Sequence, residues 1–404
     1  MNVLYFHQHF SLPQGATGNR SYYFAKALIQ KGHTVTMVCG SYQAAITGLD
    51  SLFDKGVRRG TIDGINIIEF DLSYANKDTL FKRSLIFLKY VRKSLKLIFS
   101  EPYDLIFATS TPLTAGIPGM ISRIFKRKPF VFEVRDLWPE LPRAIGVIKN
   151  PVILSMLSLL EWCSYRASNR LIGLSPGIIE GIAKRSHKNK LIALIPNGCD
   201  FNIFDQEATP WRPAEIKKTD FLALYAGTHG LSNGLSVVLD VALELKKRGR
   251  NDIKILFVGE GMEKHALQLR AKNEALDNII FHDSVSKFKL AGLMKSSNIG
   301  LQLLKNIPAF YHGTSPNKFF DYISAGLPVL NNYPGWLAGL IAEHQCGYVV
   351  PPDNVAAFAE ALENAADQGK LDQMGANGLR LAHEKFNRNM LAQDFVGFLE
   401  GAVK

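Results

Sequence analysis

Residues 315–330, SPNKFFDYISAGLPVL, predict a loop, a short helix that begins near Asn317, a turn at Gly326 and a buried strand. A helix start gathers unpaired N–H groups and partial positive charge, so it suits a phosphate. Lys318 lies in this helix one turn before Asp321. A lysine binds phosphates and a carboxylate accepts hydrogen bonds from a ribose diol, so the stretch predicts a nucleotide site. The alternative is an ordinary exposed helix start.

Alternating strand and helix patterns recur on both sides of this stretch. In the first half, short apolar or β-branched runs occupy 2–7, 34–39, 65–70, 105–109, 130–134, 171–174 and 191–195, with helical patterns such as 20–31 and 152–167 between them. In the second half, similar runs occupy 221–226, 253–258, 278–281, 299–303, 329–331 and 347–350. The pattern predicts an α/β protein of two tandem doubly wound, Rossmann-like domains that face a cleft.

The predicted boundary between the domains lies within 198–213, which is rich in Asn, Asp and Pro. We expect an N-terminal domain at 1–200, a C-terminal domain at 201–385, and a last helix at 386–404 that crosses back to the N-terminal domain. A chain of 404 residues is long enough for two such cores.

The composition, 47% hydrophobic and 21% charged, is that of a globular protein. Four cysteines, at positions 39, 163, 199 and 346, are too scattered for a zinc site or a disulfide framework, which favours reduced thiols in the cytosol. The start, MNVLYFHQHF, has neither a basic end nor a long apolar core, so we interpret it as a strand rather than a signal peptide. No apolar run reaches the roughly eighteen residues of a membrane span.

The positive charge is concentrated in the first half. Residues 1–200 contain 26 Lys and Arg against 14 Asp and Glu, whereas residues 201–404 contain 21 against 22. Such an excess suits an acidic partner: nucleic acid, an anionic membrane surface or a phosphorylated substrate. No motif that reads nucleic acid accompanies the charge. We therefore expect no nucleic-acid partner, and a basic nucleic-acid-binding protein is the weaker alternative.

Residues 82–99, KRSLIFLKYVRKSLKLIF, contain six basic and no acidic residues, with a partly helical apolar period. A basic amphipathic helix of this kind lies on an anionic bilayer surface. The alternative is a helix packed on the core with one solvated face. The basic stretch at 124–128 adds some support to the membrane interpretation.

Two turns in the first half place polar groups after predicted strands. Gly15 would let the backbone approach an anion at the start of the helix that begins with Arg20. Arg135, Asp136 and Trp138 follow a buried strand, where ionisable groups are costly without a partner. Each turn is either a ligand site or a structural loop.

Two glycine-rich turns begin the second half. Gly227 and Thr228 follow one predicted strand, and Gly259 and Gly261 follow the next. Because these turns and the helix start near 317 belong to the same predicted sheet, they predict a nucleotide cleft.

Together these features resemble the family-4 retaining glycosyltransferases, which have the two-domain glycosyltransferase-B (GT-B) architecture. The resemblance rests on IPNGCD at 195–200, VGEG at 258–261 and AGLPV at 325–329. Within the family, EVRDLWP at 133–139 and SPNK at 315–318 are similar to the WbuB-like N-acetyl-L-fucosaminyltransferase branch of O-antigen and capsule enzymes.

The resemblance implies that the second domain binds a UDP-sugar donor and the first binds the acceptor. Asp321 takes the place of the acidic residue that holds the ribose hydroxyls, and Val285 takes the place where the backbone reads the nucleobase. The family's preceding Glu falls on Gly313, a departure from its pattern. The other implied donor contacts are Gly15, Gly227, Gly259, Gly261, Ser315, Pro316 and Asn317. The implied acceptor contacts are Arg20, Trp138 and Asn197.

A second departure concerns the donor diphosphate. Most members neutralise it with an Arg and a Lys, whose places here hold Thr228 and Asn233, which we still expect at the donor. A departing diphosphate develops negative charge that cations or N–H donors stabilise. We expect Lys318 to be the replacement cation, with Arg20 or Arg135 second.

We expect Arg135, Asp136 and Lys318 to be the catalytic residues, although the role of the family's histidine does not carry over directly to Arg135. Arg135 and Asp136 stand where many members have His-Asp beside the transferred sugar. Retention in the family is ascribed to attack from the face that the diphosphate leaves, with a leaving phosphate oxygen accepting the acceptor's proton. Asp136 would position the acceptor hydroxyl. The sequence has no D-x-D metal motif, so we expect no cofactor and no catalytic metal.

The implied acceptor is an undecaprenyl-diphosphate-linked saccharide at the anionic inner face of the cell membrane, which would account for both the charge and the helix at 82–99. The implied enzyme is cytoplasmic and peripheral on that membrane. It moves a deoxy-amino sugar, for example N-acetyl-L-fucosamine, in O-antigen or capsule synthesis. An enzymatic alternative of similar architecture is a sugar-nucleotide 2-epimerase, which the IPNGCD segment disfavours.

Overall fold

The computed structural model describes residues 1–15, 18–42, 45–74, 79–204 and 208–403. They form two compact units. The first contains Met1–Pro196, Gly313–Ser315 and the C-terminal segment from Arg388, and the second contains Asn197–His312 and Pro316–Asn387. The chain therefore passes into the second unit at Asn197 and finally returns to the first at Arg388.

The first unit is built on one sheet, with eight strands in its described part. The strands are β1 Asn2–Phe6, β2 Thr34–Tyr42, β3 Val57–Ile62, β4 Ile65–Tyr74, β5 Leu105–Thr109, β6 Phe130–Val134, β7 Arg170–Gly173 and β8 Leu191–Leu194. Their order is β3-β4-β2-β1-β5-β6-β7-β8. β3 and β4 are antiparallel, and the other neighbours are parallel.

Helices cover both faces of this sheet. They are α1 Arg20–Gln30, α2 Leu80–Ser100, α3 Ile117–Phe125, α4 Glu140–Ala144, α5 Pro151–Ala167 and α6 Pro176–Arg185, with a 3-10 turn at Leu113–Gly116. Successive strand side chains point to opposite faces. Val3 and Tyr5 of β1 thus pack in the core under α1. Leu4 and Phe6 pack in the core under α2.

The second unit contains β9 Phe221–Ala226, β10 Ile253–Val258, β11 Ile279–His282, β12 Ile299–Gln302, β13 Val329–Asn331 and β14 Gly347–Val349. Its strand order is β11-β10-β9-β12-β13-β14, and the paired strands are parallel. Its helices are α7 Phe201–Phe204, α8 Ser236–Lys247, α9 Lys264–Asn273, α10 Lys287–Lys295, α11 Pro308–Gly313, α12 Asn317–Ser324, α13 Trp336–His344, α14 Val355–Asp367 and α15 Leu371–Lys385, with a 3-10 turn at Leu231–Asn233.

The last helix, α16, spans Arg388–Val403 and belongs to the first unit. Phe395 of α16 stacks on Phe24 of α1, with the ring centroids 4.2 Å apart. Leu391 and Leu399, on the same side of α16, are buried in the same core. No helix in the described ranges is both long enough and apolar enough to cross a bilayer.

The predicted fold class, two tandem parallel α/β domains, is confirmed. The sequence interpretation missed β3, which forms a hairpin with β4 through Asp63 and Gly64. These two residues have φ angles of +52° and +82°, as the two central residues of a type I′ turn require. The Asp-Gly pair was therefore an available signal for the hairpin.

Candidate functional site

The glycine turns that follow β9 and β10 pack directly on each other. A Cβ atom at Gly259 would lie 2.1 Å from the carbonyl oxygen of Gly227, and one at Gly261 would lie 2.2 Å from that of His229. The Gly227 N–H donates to the Val258 carbonyl at 2.9 Å. Only glycine fits such close backbone contacts, so the two turns present bare backbone at the carboxyl edge of the sheet.

Lys318, in the first turn of α12, reaches this backbone. Its Nζ lies 5.1 Å from the centroid of the Tyr225 ring and 3.4 Å from Asn233 Oδ1. A Cβ at position 227 would lie 3.2 Å from Lys318 Cδ, so Gly227 leaves room for the lysine. Burial lowers the pKa of Lys318 to about 8, and the Asp321 carboxylate opposes part of that shift. A partly desolvated ammonium beside bare backbone is well suited to bind an anion.

Thr228 and Asn233, which take the places of the family's Arg and Lys in that order, support the turn after β9. Asn233 Nδ2 and the Tyr225 hydroxyl both donate to the Thr228 carbonyl, each at 2.8 Å. Asn233 is buried, and its Oδ1 faces Lys318 Nζ. Its amide therefore fixes the turn and the lysine at the same time.

Asp321 lies one turn after Lys318 and is 9% exposed. Its Oδ1 is 3.7 Å from Nζ of Lys287, the first residue of α10. Val285, the position implied for nucleobase recognition, lies two residues before Lys287 in the turn that follows β11. The sequence interpretation missed Lys287, although a lysine directly after the Val285 turn was visible.

The helix start near 317 forms as predicted. Pro316 occupies the N-cap in an extended conformation and Asn317 is the exposed first residue of α12. Because proline has no side-chain acceptor, it cannot cap the N–H groups of the first turn. Ser315 is also a predicted donor contact. It belongs to the first unit, as part of the segment Gly313–Ser315.

In the first unit, Arg20 is a buried structural residue. Its Nε and Nη2 donate to Glu133 Oε1 at 2.9 and 2.8 Å, and Nη2 also donates to the Ile195 carbonyl at 2.7 Å. Nη1 donates to the Pro196 carbonyl. Arg20 is 5% exposed and four of its five guanidinium N–H groups donate within the unit, so the geometry disfavours the predicted role as an acceptor contact or second diphosphate cation.

Arg135 and Asp136 follow β6 as predicted. The Arg135 N–H donates to Ser110 Oγ at 2.8 Å, and the Thr111 hydroxyl donates to Asp136 Oδ2 at 3.4 Å. Burial raises the pKa of Asp136, while Arg135 and Thr111 oppose that rise. Thr111 has a φ of +92°, an unusual angle for a β-branched residue and one that clusters at functional sites.

Three polar residues after β1, His7, Gln8 and His9, were missed as candidates. His7 and Gln8 are 3% and 2% exposed, and His7 Nδ1 and both Gln8 amide atoms have no hydrogen-bond partner within the described residues. Burial lowers the pKa of His7 well below its usual value, and that of His9 to about 4, with Arg135 adding to both shifts. The run of polar residues directly after an apolar strand was the available signal.

The remaining predicted residues are Gly15, Trp138 and Asn197. Gly15 is buried in the loop after β1, where a Cβ atom would lie 2.1 Å from Ser11 Oγ. Ala16 and Thr17 of the same turn lie outside the described residues. Trp138 is half-buried against the core under α2. Asn197 is buried and is the first residue of the second unit. Within the described ranges, no three His, Cys, Asp or Glu side chains are grouped to hold a metal ion.

Two parallel α/β units, with glycine turns and a lysine at the carboxyl edge of the second sheet, form an arrangement that is common in nucleotide-binding proteins. Residues 17–202 match the family described as Glycosyltransferase Family 4, and residues 208–380 match Glycosyl transferases group 1. The chain therefore contains a Glycosyltransferase Family 4 domain followed by a Glycosyl transferases group 1 domain. No curated protein sequence matches it.

Solved structures share the fold over nearly the whole chain. Sucrose-phosphate synthase from Thermosynechococcus elongatus has a TM-score of 0.77 at 17% identity, covering 99% of this chain and 98% of its own. HepE from Anabaena, in complex with UDP and glucose, has a TM-score of 0.69 at 15% identity, covering 99% and 100%. WaaG, a glycosyltransferase involved in lipopolysaccharide biosynthesis, has a TM-score of 0.69 at 16% identity, covering 99% and 100%. This likeness confirms the GT-B fold.

Proposed function

We propose that the protein transfers a sugar from a UDP-sugar to a lipid-linked saccharide with retention of anomeric configuration and without a metal ion. The observation that carries the proposal is the position of Lys318, whose ammonium lies on the bare backbone at Gly227, one turn before the buried Asp321. A cation, a carboxylate and an open helix start at the end of one parallel sheet suit a nucleoside diphosphate. The UDP in the HepE structure favours uridine as the nucleoside.

In the proposed complex each group meets one part of the donor. The Lys318 ammonium and the N–H groups at the start of α12 neutralise the diphosphate. The Asp321 carboxylate exchanges its Lys287 partner for the ribose hydroxyls, and the backbone of Val285 reads the base. Asn233 keeps the lysine aimed at the diphosphate through its contact at 3.4 Å.

The proposed reaction proceeds on one face of the sugar. The bond from the anomeric carbon to the diphosphate oxygen breaks, and the acceptor oxygen bonds to the same face of that carbon. The acceptor's proton passes to the departing phosphate oxygen, so no side chain is required as a general base. Asp136, hydrogen-bonded by Thr111, positions the acceptor hydroxyl, and Arg135 provides positive charge beside it.

We infer an acceptor carried on undecaprenyl diphosphate at the inner face of the membrane, and an amino-deoxy sugar such as N-acetyl-L-fucosamine. The sequence resemblance at 133–139 and 315–318 supports this choice, as does the excess positive charge of residues 1–200. WaaG, which has a similar fold, acts in lipopolysaccharide biosynthesis. The cell surface polysaccharide would then be an O-antigen or a capsule.

A thermal-shift screen of nucleotide sugars tests the donor assignment, because a ligand that binds only the folded protein raises Tm. We expect UDP-sugars to raise Tm more than GDP-, ADP- or CMP-sugars, and UDP-amino sugars to raise it most. A larger shift with a purine nucleotide sugar would contradict the assignment of uridine.

The exposed basic face of α2 predicts salt-sensitive binding to anionic lipid. Tyr90 and Ile98 are buried against the sheet, so α2 packs on the core with one face and exposes the other. Lys93 is not part of the exposed face, because its Nζ donates to the Gly56 carbonyl at 2.6 Å. The exposed cations of α2 are Lys82, Lys89, Arg92 and Lys96.

Replacing these four cations by Gln should weaken vesicle binding, since each basic side chain near an anionic surface contributes about 1 kcal/mol and salt screens the attraction. Co-sedimentation at low and high ionic strength measures the effect. The matched control replaces four exposed lysines of the second unit by Gln: Lys218, Lys247, Lys272 and Lys295. Equal binding of the α2 variant and the control would remove α2 from the membrane contact.

A further inference from the structure

The outer face of α5 exposes large apolar side chains. Val152, Met156 and Leu159 are 65%, 66% and 61% exposed, and Trp162 is 40% exposed. Their spacing of three or four residues places them on one side of the helix. A contiguous apolar face of this kind on a folded domain indicates an interaction surface.

The inner face of α5 buries polar side chains as well as the apolar ones that pack on the core. Glu161 and Ser164 are 3% and 0% exposed. The Glu161 carboxylate lies 2.6 Å from Arg185 Nε, and burial raises the pKa of Glu161 to about 7. A helix whose outer face meets water carries mainly charged and polar side chains on that face, whereas the outer face of α5 carries Val152, Met156, Leu159 and Trp162. The outer face of α5 is therefore suited to an apolar medium.

Neighbouring helices extend this surface. α3 lies between α2 and α5, and the three helices form one layer over the same face of the sheet. At the end of α3, Ile124 and Phe125 are 65% and 66% exposed. On α2, Phe81 and Leu88 are also exposed. Exposed apolar side chains thus occur on all three helices of this layer.

Cations lie among and beside these apolar side chains. The α3 helix is followed by the basic residues 126–128. Lys126 Nζ lies 5.3 Å from the centroid of the Phe99 ring, and Arg166 Cζ lies 4.4 Å from that of Trp162. Apolar side chains flanked by lysine and arginine suit the interface of an anionic bilayer, where the cations reach the headgroups. In a symmetric dimer through this face, the same cations would approach each other.

We propose that α5, together with the last turn of α3, inserts its apolar side chains into the headgroup region of an anionic bilayer. This inference rests on the proposed peripheral location of the enzyme. It adds an apolar contribution, resistant to salt, to the electrostatic attraction of α2. Met156 and Leu159 form the centre of the inserted face.

The test is co-sedimentation with vesicles of phosphatidylcholine and phosphatidylglycerol at low and high salt. The wild type is expected to keep a bound fraction at high salt, and the double variant Met156→Gln, Leu159→Gln to bind at least about tenfold more weakly there. The control is Met262→Gln, Leu269→Gln in the second unit, which changes the same residue types at exposed positions and is expected to bind like the wild type. The four-cation variant of α2 is expected to retain the salt-resistant fraction.

Tryptophan fluorescence with brominated lipids provides a direct readout of insertion. Vesicles are expected to quench wild-type emission, and Trp162→Phe to lose most of this quenching. Equal high-salt binding of the Met156, Leu159 variant and its control would overturn the proposal. So would dimers of the wild type without lipid that the variant abolishes, because a second copy would then occupy the face. UDP binding measured on the same variants checks their fold, and vesicle binding does not depend on any transferase activity.

Discussion

Lys318→Ala is expected to lower kcat by about 10²–10³-fold, the range found when a preorganised group that stabilises developing charge is removed. Negative charge on the diphosphate grows as the sugar bond breaks, so the ammonium interacts more strongly with the transition state than with the bound donor. Steady-state kinetics should therefore show a larger loss in kcat than calorimetry shows in donor affinity. Lys295→Ala, an exposed lysine on α10, is the control and should keep full activity. Unchanged turnover of Lys318→Ala would leave Arg135 or backbone N–H groups as the stabilising groups.

The pH dependence of the wild type follows from the same residue. Burial lowers the pKa of Lys318 to about 8, below the ordinary lysine value, so the free enzyme loses this positive charge as pH rises through about 8. The kcat/KM value, which reports the free enzyme, is expected to fall over that range. Lys318→Arg keeps its charge at higher pH and should move the fall upward or remove it.

Asp321→Ala is expected to weaken UDP binding by about tenfold or more. The carboxylate would accept hydrogen bonds from the ribose diol, and a hydrogen bond to a charged group is worth about 1.5–3 kcal/mol. Calorimetric titration with UDP and with 2′-deoxy-UDP separates this role from a general loss of structure. The wild type should prefer UDP, and the variant should discriminate less between the two.

Asp321→Asn is the matched variant, because it keeps the shape of the side chain and removes its charge. It should bind UDP with an affinity between those of the wild type and Asp321→Ala. A folded Asp321→Ala protein with wild-type affinity and wild-type preference would exclude Asp321 from ribose recognition.

The fold could be predicted because its strands are short apolar runs with helical patterns between them. β5 and β6 are buried at every position, as parallel strands covered by helices on both faces must be, and their limits match the predicted ones. The pairing of Lys318 with Asp321 could be predicted for a local reason, because one helical turn separates the two residues within α12. Both signals lie within a few consecutive residues.

What could not be predicted depends on residues distant in sequence. Arg20 was predicted to contact the acceptor or the diphosphate, but its guanidinium donates to the carboxylate of Glu133, which is 113 residues away in sequence. The contact of Lys287 with Asp321 likewise depends on the packing of two helices. The sequence of α5 predicted a helix but not which face is buried, because apolar residues occur on most of its sides and the inward face includes Glu161.

Retaining transfer to a lipid-linked acceptor can be tested by UDP release from the donor that gives the largest thermal shift, measured with and without extracted undecaprenyl-diphosphate-linked saccharides. UDP release is expected to depend on the lipid acceptor and to equal the amount of glycosylated lipid formed, and the product is expected to have the anomeric configuration of the donor. Epimerised sugar with no dependence on acceptor would identify an epimerase instead. A glycosylated lipid of inverted configuration would contradict the proposed attack on the face that the diphosphate leaves.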